Sequence, residues 1–210
     1  QQEPLAFGTR PDDDRWTAFV AGTRMAFISV QADEAEYYTK IESKQEQTKL
    51  AQGLPNVGDS SKSNKREAET VARLIHTLCQ LYSRSGIPFS PCKQIGIIVP
   101  FRAQIAMIRK ALAERHIPDT ADITIDTVER YQGSQRDIII FSTTVSRPYQ
   151  LSILSEPVMT DGREIDRKLN VALTRARKQF FMTGNETLLR NCTAYRKFLD
   201  FLSKEQILRL

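Results

Sequence analysis

The stretch Leu169-Asn170-Val171-Ala172-Leu173-Thr174-Arg175-Ala176-Arg177 reads as a helix with two unlike polar flanks. At about 100° per residue, Leu169, Ala172, Leu173 and Ala176 form one apolar stripe. Asn170, Thr174 and Arg177 fall on one side of it, and Lys168 and Arg175 on the other. A helix that only packs needs a single polar face. Arginine's planar, permanently charged fork matches phosphate oxygens, so this helix could hold one guanidinium toward a ligand while the second polar row meets another surface. Helix arginines more often end in solvent or in a surface ion pair, so the rest of the chain has to decide.

Working outward, a strand is predicted after it at 179–183, and two before it at 123–128 and 137–143, around the turn Tyr131-Gln132-Gly133. Ile95-Gly-Ile-Ile-Val-Pro100 is a further short buried strand, and Met25-Ala-Phe-Ile-Ser-Val30 a first one. Between them lie helical patterns. Asn64 is a good N-cap with Glu67 in the capping-box position, and Val71, Leu74, Ile75, Leu78, Leu81 and Tyr82 recur at helical spacing until Gly86 and Pro88 end the run. A second amphipathic helix is expected at about 103–115, with Ile105, Ile108 and Leu112 inward. A C-terminal helical region carries Tyr195, Phe198, Leu199 and Leu202. Strands alternating with helices, several apolar on both faces, predict an α/β fold with a mostly parallel sheet covered on both sides. Ligands of such sheets bind at the carboxyl ends of the strands. That position is predicted both for Pro100-Phe101-Arg102-Ala103-Gln104 and for the turn preceding the 179–183 strand. Residues 1–24 read as an extension or linker and 25–210 as the domain; 31–63 is a polar surface excursion of loop chemistry with room for a partial helix at 42–52.

The 210 residues, 40% hydrophobic and 26% charged, describe an ordinary globular chain. No apolar run reaches the length of a membrane span, and no secretory signal opens it. The polar opening Gln1-Gln2-Glu3-Pro4 leads us to expect a piece of something longer. Cys79, Cys92 and Cys192 are odd in number and without CxxC spacing, and only His76 and His116 could assist them. A zinc site is therefore not expected, and reduced thiols point to a cytoplasmic protein. A net charge of +5 permits nucleic-acid binding without establishing it.

Two further segments carry ligand chemistry. Between the predicted strands, Thr127-Val-Glu-Arg-Tyr-Gln-Gly-Ser-Gln-Arg-Asp137 places Gln132, Ser134 and Gln135 beside Gly133, which can adopt a backbone shape or permit an approach that a side chain would forbid. Such a turn suits sugar or phosphate oxygens, and a polar connection without ligand has the same composition. Arg102 and Gln104 follow a strand and open a helix, where free amides and a guanidinium form a phosphate-contact site. The alternative is an arginine stem packed over Phe101.

In order, the three segments resemble the C-terminal half of superfamily 1 helicases, in the 5′-to-3′ branch that includes the RNA-surveillance helicase and the replication helicase-nuclease. That family shows Pro-Tyr/Phe-Arg-x-Gln after a strand, then Val-Asp-x-Phe-Gln-Gly-x-Glu-x-Asp, then Arg-Arg-Leu-Asn-Val-Ala-Leu-Thr-Arg-Ala. Pro100 to Gln104 fit the first, Val128 to Asp137 the second and Arg167 to Arg177 the third. Asn64-Lys-Arg-Glu-Ala68 and Gly184-Asn185 fit as well, so the resemblance runs from about Met25 to the C-terminus.

The resemblance implies a second RecA-like domain. Arg175 would be an arginine finger reaching the γ-phosphate of ATP, with Gly133, Gln135 and Lys168 near the nucleotide. Arg102, Gln104, Thr127 and Asn170 would lie near single-stranded nucleic acid or near the domain cleft. Motor domains of this kind grip the strand backbone, so the sequence does not decide between DNA and RNA, and DNA is the favoured expectation. The chain departs from the pattern at Gln135, where the family has a glutamate contacting the sugar, at Glu129 for aspartate and at Lys168 for arginine. No GxxxxGK[ST] phosphate loop occurs, so ATP and Mg2+ would be bound mainly by an upstream RecA-like domain, and this stretch alone would not hydrolyse ATP. The rival reading is a non-catalytic nucleic-acid- or protein-binding module that keeps the fold. A dinucleotide enzyme is set aside because no GxGxxG turn follows a first strand.

Overall fold

The computed structural model describes residues 7–30, 62–131 and 134–210. The polar excursion lies almost wholly outside them, as do the partial helix read at 42–52, Gln132 and Gly133. The strands are β1 (Met25–Ser29), β2 (Ile95–Val99), β3 (Thr124–Thr127), β4 (Arg136–Ser142), β5 (Pro157–Thr160), β6 (Arg163–Asp166), β7 (Ala176–Gly184) and β8 (Ile207–Arg209). Six of them form one sheet in the order β3-β2-β4-β7-β1-β8, and every adjacent pair is parallel. β5 and β6 form a separate antiparallel hairpin.

The helices are α1 (Arg15–Gly22), α2 (Lys65–Arg84), α3 (Pro91–Gln94), α4 (Arg102–Glu114), α5 (Leu151–Leu154), α6 (Arg167–Thr174), α7 (Glu186–Leu189) and α8 (Thr193–Phe201). They cover both faces because the central strands are apolar on both. On one side, Ile97, Ile138 and Ile140 pack with Val71, Leu74 and Leu78 of α2, Ile108 of α4 and Trp16 of α1. On the other, Ile98, Ile139 and Phe180 pack with Leu169 and Ala172 of α6 and Tyr195 and Phe198 of α8. Each fully buried aliphatic side chain contributes about 1.5–3 kcal/mol of burial energy, so the sheet centre anchors the domain.

Several features differ from the sequence expectation, three of them in the limits of elements. Residues 15–22, read as part of an extension, form a helix whose Trp16, Phe19 and Val20 are buried, with Trp16 Nε1 donating to Thr77 Oγ1 at 2.8 Å. The decisive helix stops at Thr174, and Arg177 belongs to β7 instead. Strand pairing wins there: the Arg136 amide donates to the Arg175 carbonyl at 3.0 Å, and Arg136 is in register with Ala176. A last strand, β8, adds to β1 at the sheet's far edge.

β3 and β4 flank β2, so the chain from Val128 to Gln135 must cross over β2 from one edge of the sheet to the other. It hugs the sheet. Tyr131 is only 1% exposed, and its hydroxyl lies 1.7 Å from where a Cβ on Gly96 would stand. Gly96 is therefore the seat that lets so short a crossover pass.

Candidate nucleotide and nucleic-acid edges

Because the sheet is parallel, all of its strands end at one edge and begin at the other. At the carboxyl edge, α4 opens with Arg102, which is exposed, and no side chain caps the helix at Phe101. Its first-turn amides and the guanidinium give an anion-accepting end. Gln104 sits one step further and is fully buried. The Asn64 amide donates to its Oε1 at 2.7 Å, while its Nε2 donates to the Asn64 carbonyl at 3.0 Å and to Ser142 Oγ at 3.3 Å. Gln104 thus joins α4 to α2 and turns no polar group to solvent. Thr127 ends β3 partly exposed, its carbonyl accepting from the Arg130 amide at 3.1 Å and the Tyr131 amide at 3.0 Å.

Glu67 lies at the same edge, fully buried. The capping-box expectation is half right. Asn64 Oδ1 does accept from the Glu67 amide at 3.0 Å, but the reciprocal bond is absent because Gln104 takes the Asn64 amide. The Glu67 carboxylate turns inward instead. Its Oε2 accepts from Ser142 Oγ at 2.7 Å, Thr183 Oγ1 at 3.0 Å and the Thr144 amide at 3.1 Å. Burial pushes its carboxyl up to about 7, opposed by the Ser142, Thr144 and Thr183 hydrogen bonds.

The amino edge holds the other set. The sequence reading put the turn before β7 at a carboxyl end; the parallel pairing of β7 with β4 and β1 puts it at the amino end. Arg175 is therefore separated from the Glu67 edge by the length of β7, about 30 Å at the usual rise per residue. It caps the C-terminus of α6 and is partly exposed. Its Nε is buried without a hydrogen-bond partner among the described residues, and so is that of Arg136 beside it. Gln135 is exposed, and its Oε1 accepts from Arg177 Nε at 3.4 Å. Asn170 is exposed one turn back along α6, its carbonyl accepting from Thr174 Oγ1 at 2.9 Å. It lies on the helix whose C-terminus Arg175 caps. Gly133 falls outside the described residues.

Lys168 donates to the Ile153 carbonyl at 2.8 Å and pairs with Glu129 at 3.2 Å. These are two of the positions at which the chain departs from the helicase pattern, and they meet each other. The pair ties the crossover to α6. Sequence reasoning missed Asp166, which is buried and fixes the start of α6. Its Oδ1 accepts from the Leu169 amide at 2.7 Å, and its Oδ2 from Ser155 Oγ at 2.6 Å and the Glu156 amide at 2.7 Å. An aspartate immediately before Arg167-Lys168-Leu169 was the available signal.

An all-parallel sheet clad on both faces defines a RecA-like α/β domain. A family model described as an AAA domain matches residues 14–187, and the chain belongs to that family. It is a superfamily 1 helicase-family domain, related to RNA-surveillance helicases and replication helicase-nucleases. MOV-10 of Gallus gallus, named as a helicase, is 32% identical over 155 residues, covering 68% of this chain and 15% of its own length. DNA polymerase alpha-associated DNA helicase A of Saccharomyces cerevisiae is 34% identical over 103 residues, 49% of this chain and 14% of its own. DNA replication ATP-dependent helicase/nuclease DNA2 of Bos taurus is 31% identical over 139 residues, 65% of this chain and 12% of its own. The chain spans a small part of each of these relatives.

Proposed function

We propose that this chain is the C-terminal motor domain of an ATP-dependent superfamily 1 helicase, a cytoplasmic protein that moves along single-stranded nucleic acid, DNA in preference to RNA. The observation that carries the reading is Arg175. It stands at the amino edge, partly exposed, with a buried Nε that no described residue satisfies. Buried donors are nearly always paired, so an Nε without an acceptor among the described residues is consistent with a functional role for this arginine.

In this reading ATP and Mg2+ sit mainly on an upstream RecA-like domain that closes against the amino edge. The residues present fit a share of the nucleotide and not the metal. Arg175 and Gln135 offer donors there, whereas no group of three or more acidic, His or Cys residues that could hold an ion occurs among the described residues. The fixed charge of Arg175 would meet charge developing on the transferred phosphoryl group, at a cleft that excludes water as it closes. Asp166 and the Lys168–Glu129 pair hold α6, and hence Arg175, in place. Gly133, in the crossover, would let the backbone approach the nucleotide. At the other edge Arg102 and the amides of α4 would grip backbone phosphates, with Thr127 beside them and Gln104 bracing from within. Such contacts read no bases. The segment from Thr127 to Arg136 joins the two edges in sequence.

The test is ATP turnover by the full-length protein with single-stranded DNA and RNA compared as activators. Strong stimulation by a single strand, larger with DNA, is expected; turnover indifferent to both would refute the reading.

A further inference from the structure

Glu67 is a fully buried carboxylate, and its hydrogen-bond partners among the described residues are uncharged. The groups that face it are neutral: Asn64 from its own helix, Ser142 and Thr144 from β4 and the turn beyond, and Thr183 from β7. Gln104 of α4 closes the ring through Ser142 and Asn64. Four elements are thus tied at one point, each at the end that forms the carboxyl edge. One of them is strained. Thr144 has φ of 60°, a left-handed backbone that a β-branched residue adopts only when its surroundings enforce it. Two bonds hold this turn: the Thr144 amide donates to the Glu67 carboxylate at 3.1 Å, and Thr144 Oγ1 donates to the Ser142 carbonyl at 3.2 Å. A buried charge without a counter-ion is costly, and a plain packing role would be served better by an apolar side chain.

We propose that Glu67 is a positioning residue for the single strand: it sets the shape of the carboxyl edge by locking the Thr144 turn against the ends of β7, α2 and α4. This rests on the nucleic-acid role proposed above for that edge. Glu67 touches no ligand itself. It acts through Thr144 and, by way of Asn64 and Gln104, through the helix that presents Arg102.

The experiment uses the full-length protein and a fluorescein-labelled oligo-dT strand, with Kd read by anisotropy and ATP turnover followed against strand concentration. Glu67→Ala removes the acceptor and should raise both Kd and the half-activating strand concentration about tenfold, leaving kcat at saturating strand and KM for ATP within about twofold. Glu67→Gln keeps an oxygen where Oε2 stands, so its strand affinity should stay near wild type. Should Glu67→Ala fail to fold, Thr183→Val carries the test. It deletes one donor at constant shape and should weaken strand binding about threefold. Unchanged affinity in the folded Ala or Val variant overturns the proposal, as does a Gln variant impaired as badly as Ala. Wild-type protein that binds no single strand would instead refute the proposed function, so the two failures are distinguishable.

Discussion

At the carboxyl edge Glu67 and Gln104 spend their polar atoms on protein partners, whereas at the amino edge Arg136 and Arg175 each bury an Nε that no described residue satisfies. The first arrangement is finished without a ligand. A satisfied buried network is rigid, since every member holds its neighbours and the low dielectric strengthens each bond. The second leaves two donors unmet by the described residues, and a buried donor left unmet costs about 1–3 kcal/mol. One edge thus resembles a preformed rail and the other a socket, and the Val128–Gln135 crossover runs between them over Gly96.

The comparison can be broken most severely at the socket. Arg175→Ala should lower strand-stimulated turnover of the full-length protein by about three to five powers of ten. Next comes the seat of the crossover. A methyl at position 96 would stand 1.7 Å from the Tyr131 hydroxyl and 3.0 Å from Ile139 Cδ1. Gly96→Ala should therefore cost about 1–3 kcal/mol through overpacking, seen as a drop in Tm. A Tm equal to wild type would show that the crossover does not depend on that contact.

The rail is sharpened by pH. Burial raises the Glu67 carboxyl from 4.5 to about 7, so the folded state holds this proton more tightly than the unfolded chain does. The sign follows. Stability from this group is full below about 4.5, falls as pH rises to about 7 and is flat beyond, a loss of about 3 kcal/mol. Glu67→Gln should abolish that slope and leave the variant ahead of wild type at pH 8, measured as Tm across pH 5 to 8. Parallel profiles for the two proteins would mean that Glu67 does not titrate in this range.

Much of the fold is legible in the sequence because its strands are apolar on both sides. Ile95 to Val99 and Ile138 to Phe141 can only be central strands of a covered sheet. Asn64 and Gly86 mark the limits of α2 in the same direct way. The turn Asp161-Gly162, with φ of 49° and 72°, is the hairpin signal between β5 and β6, and our sequence reading did not use it. Other features depend on tertiary contacts. The end of α6 at Thr174 follows from pairing with β4, which local periodicity cannot show. β8 has three residues, too few for a period. The candidate site was readable residue by residue but not as an arrangement: nothing local tells which edge of the sheet Arg175 occupies. Glu67 shows the same limit. Its cap to Asn64 spans three residues and was foreseen, while its bonds to Ser142 and Thr183 span 75 and 116.

The central claim is a division of labour, with the nucleotide at the amino edge and the strand at the carboxyl edge. Turnover at saturating single strand and ATP, measured side by side in Arg175→Ala and Arg102→Ala full-length protein, tests it most directly. The account predicts that saturation restores the Arg102→Ala enzyme, whose defect is in strand affinity, and leaves the Arg175→Ala enzyme inactive. Saturation restoring Arg175→Ala while Arg102→Ala stays inactive would contradict it.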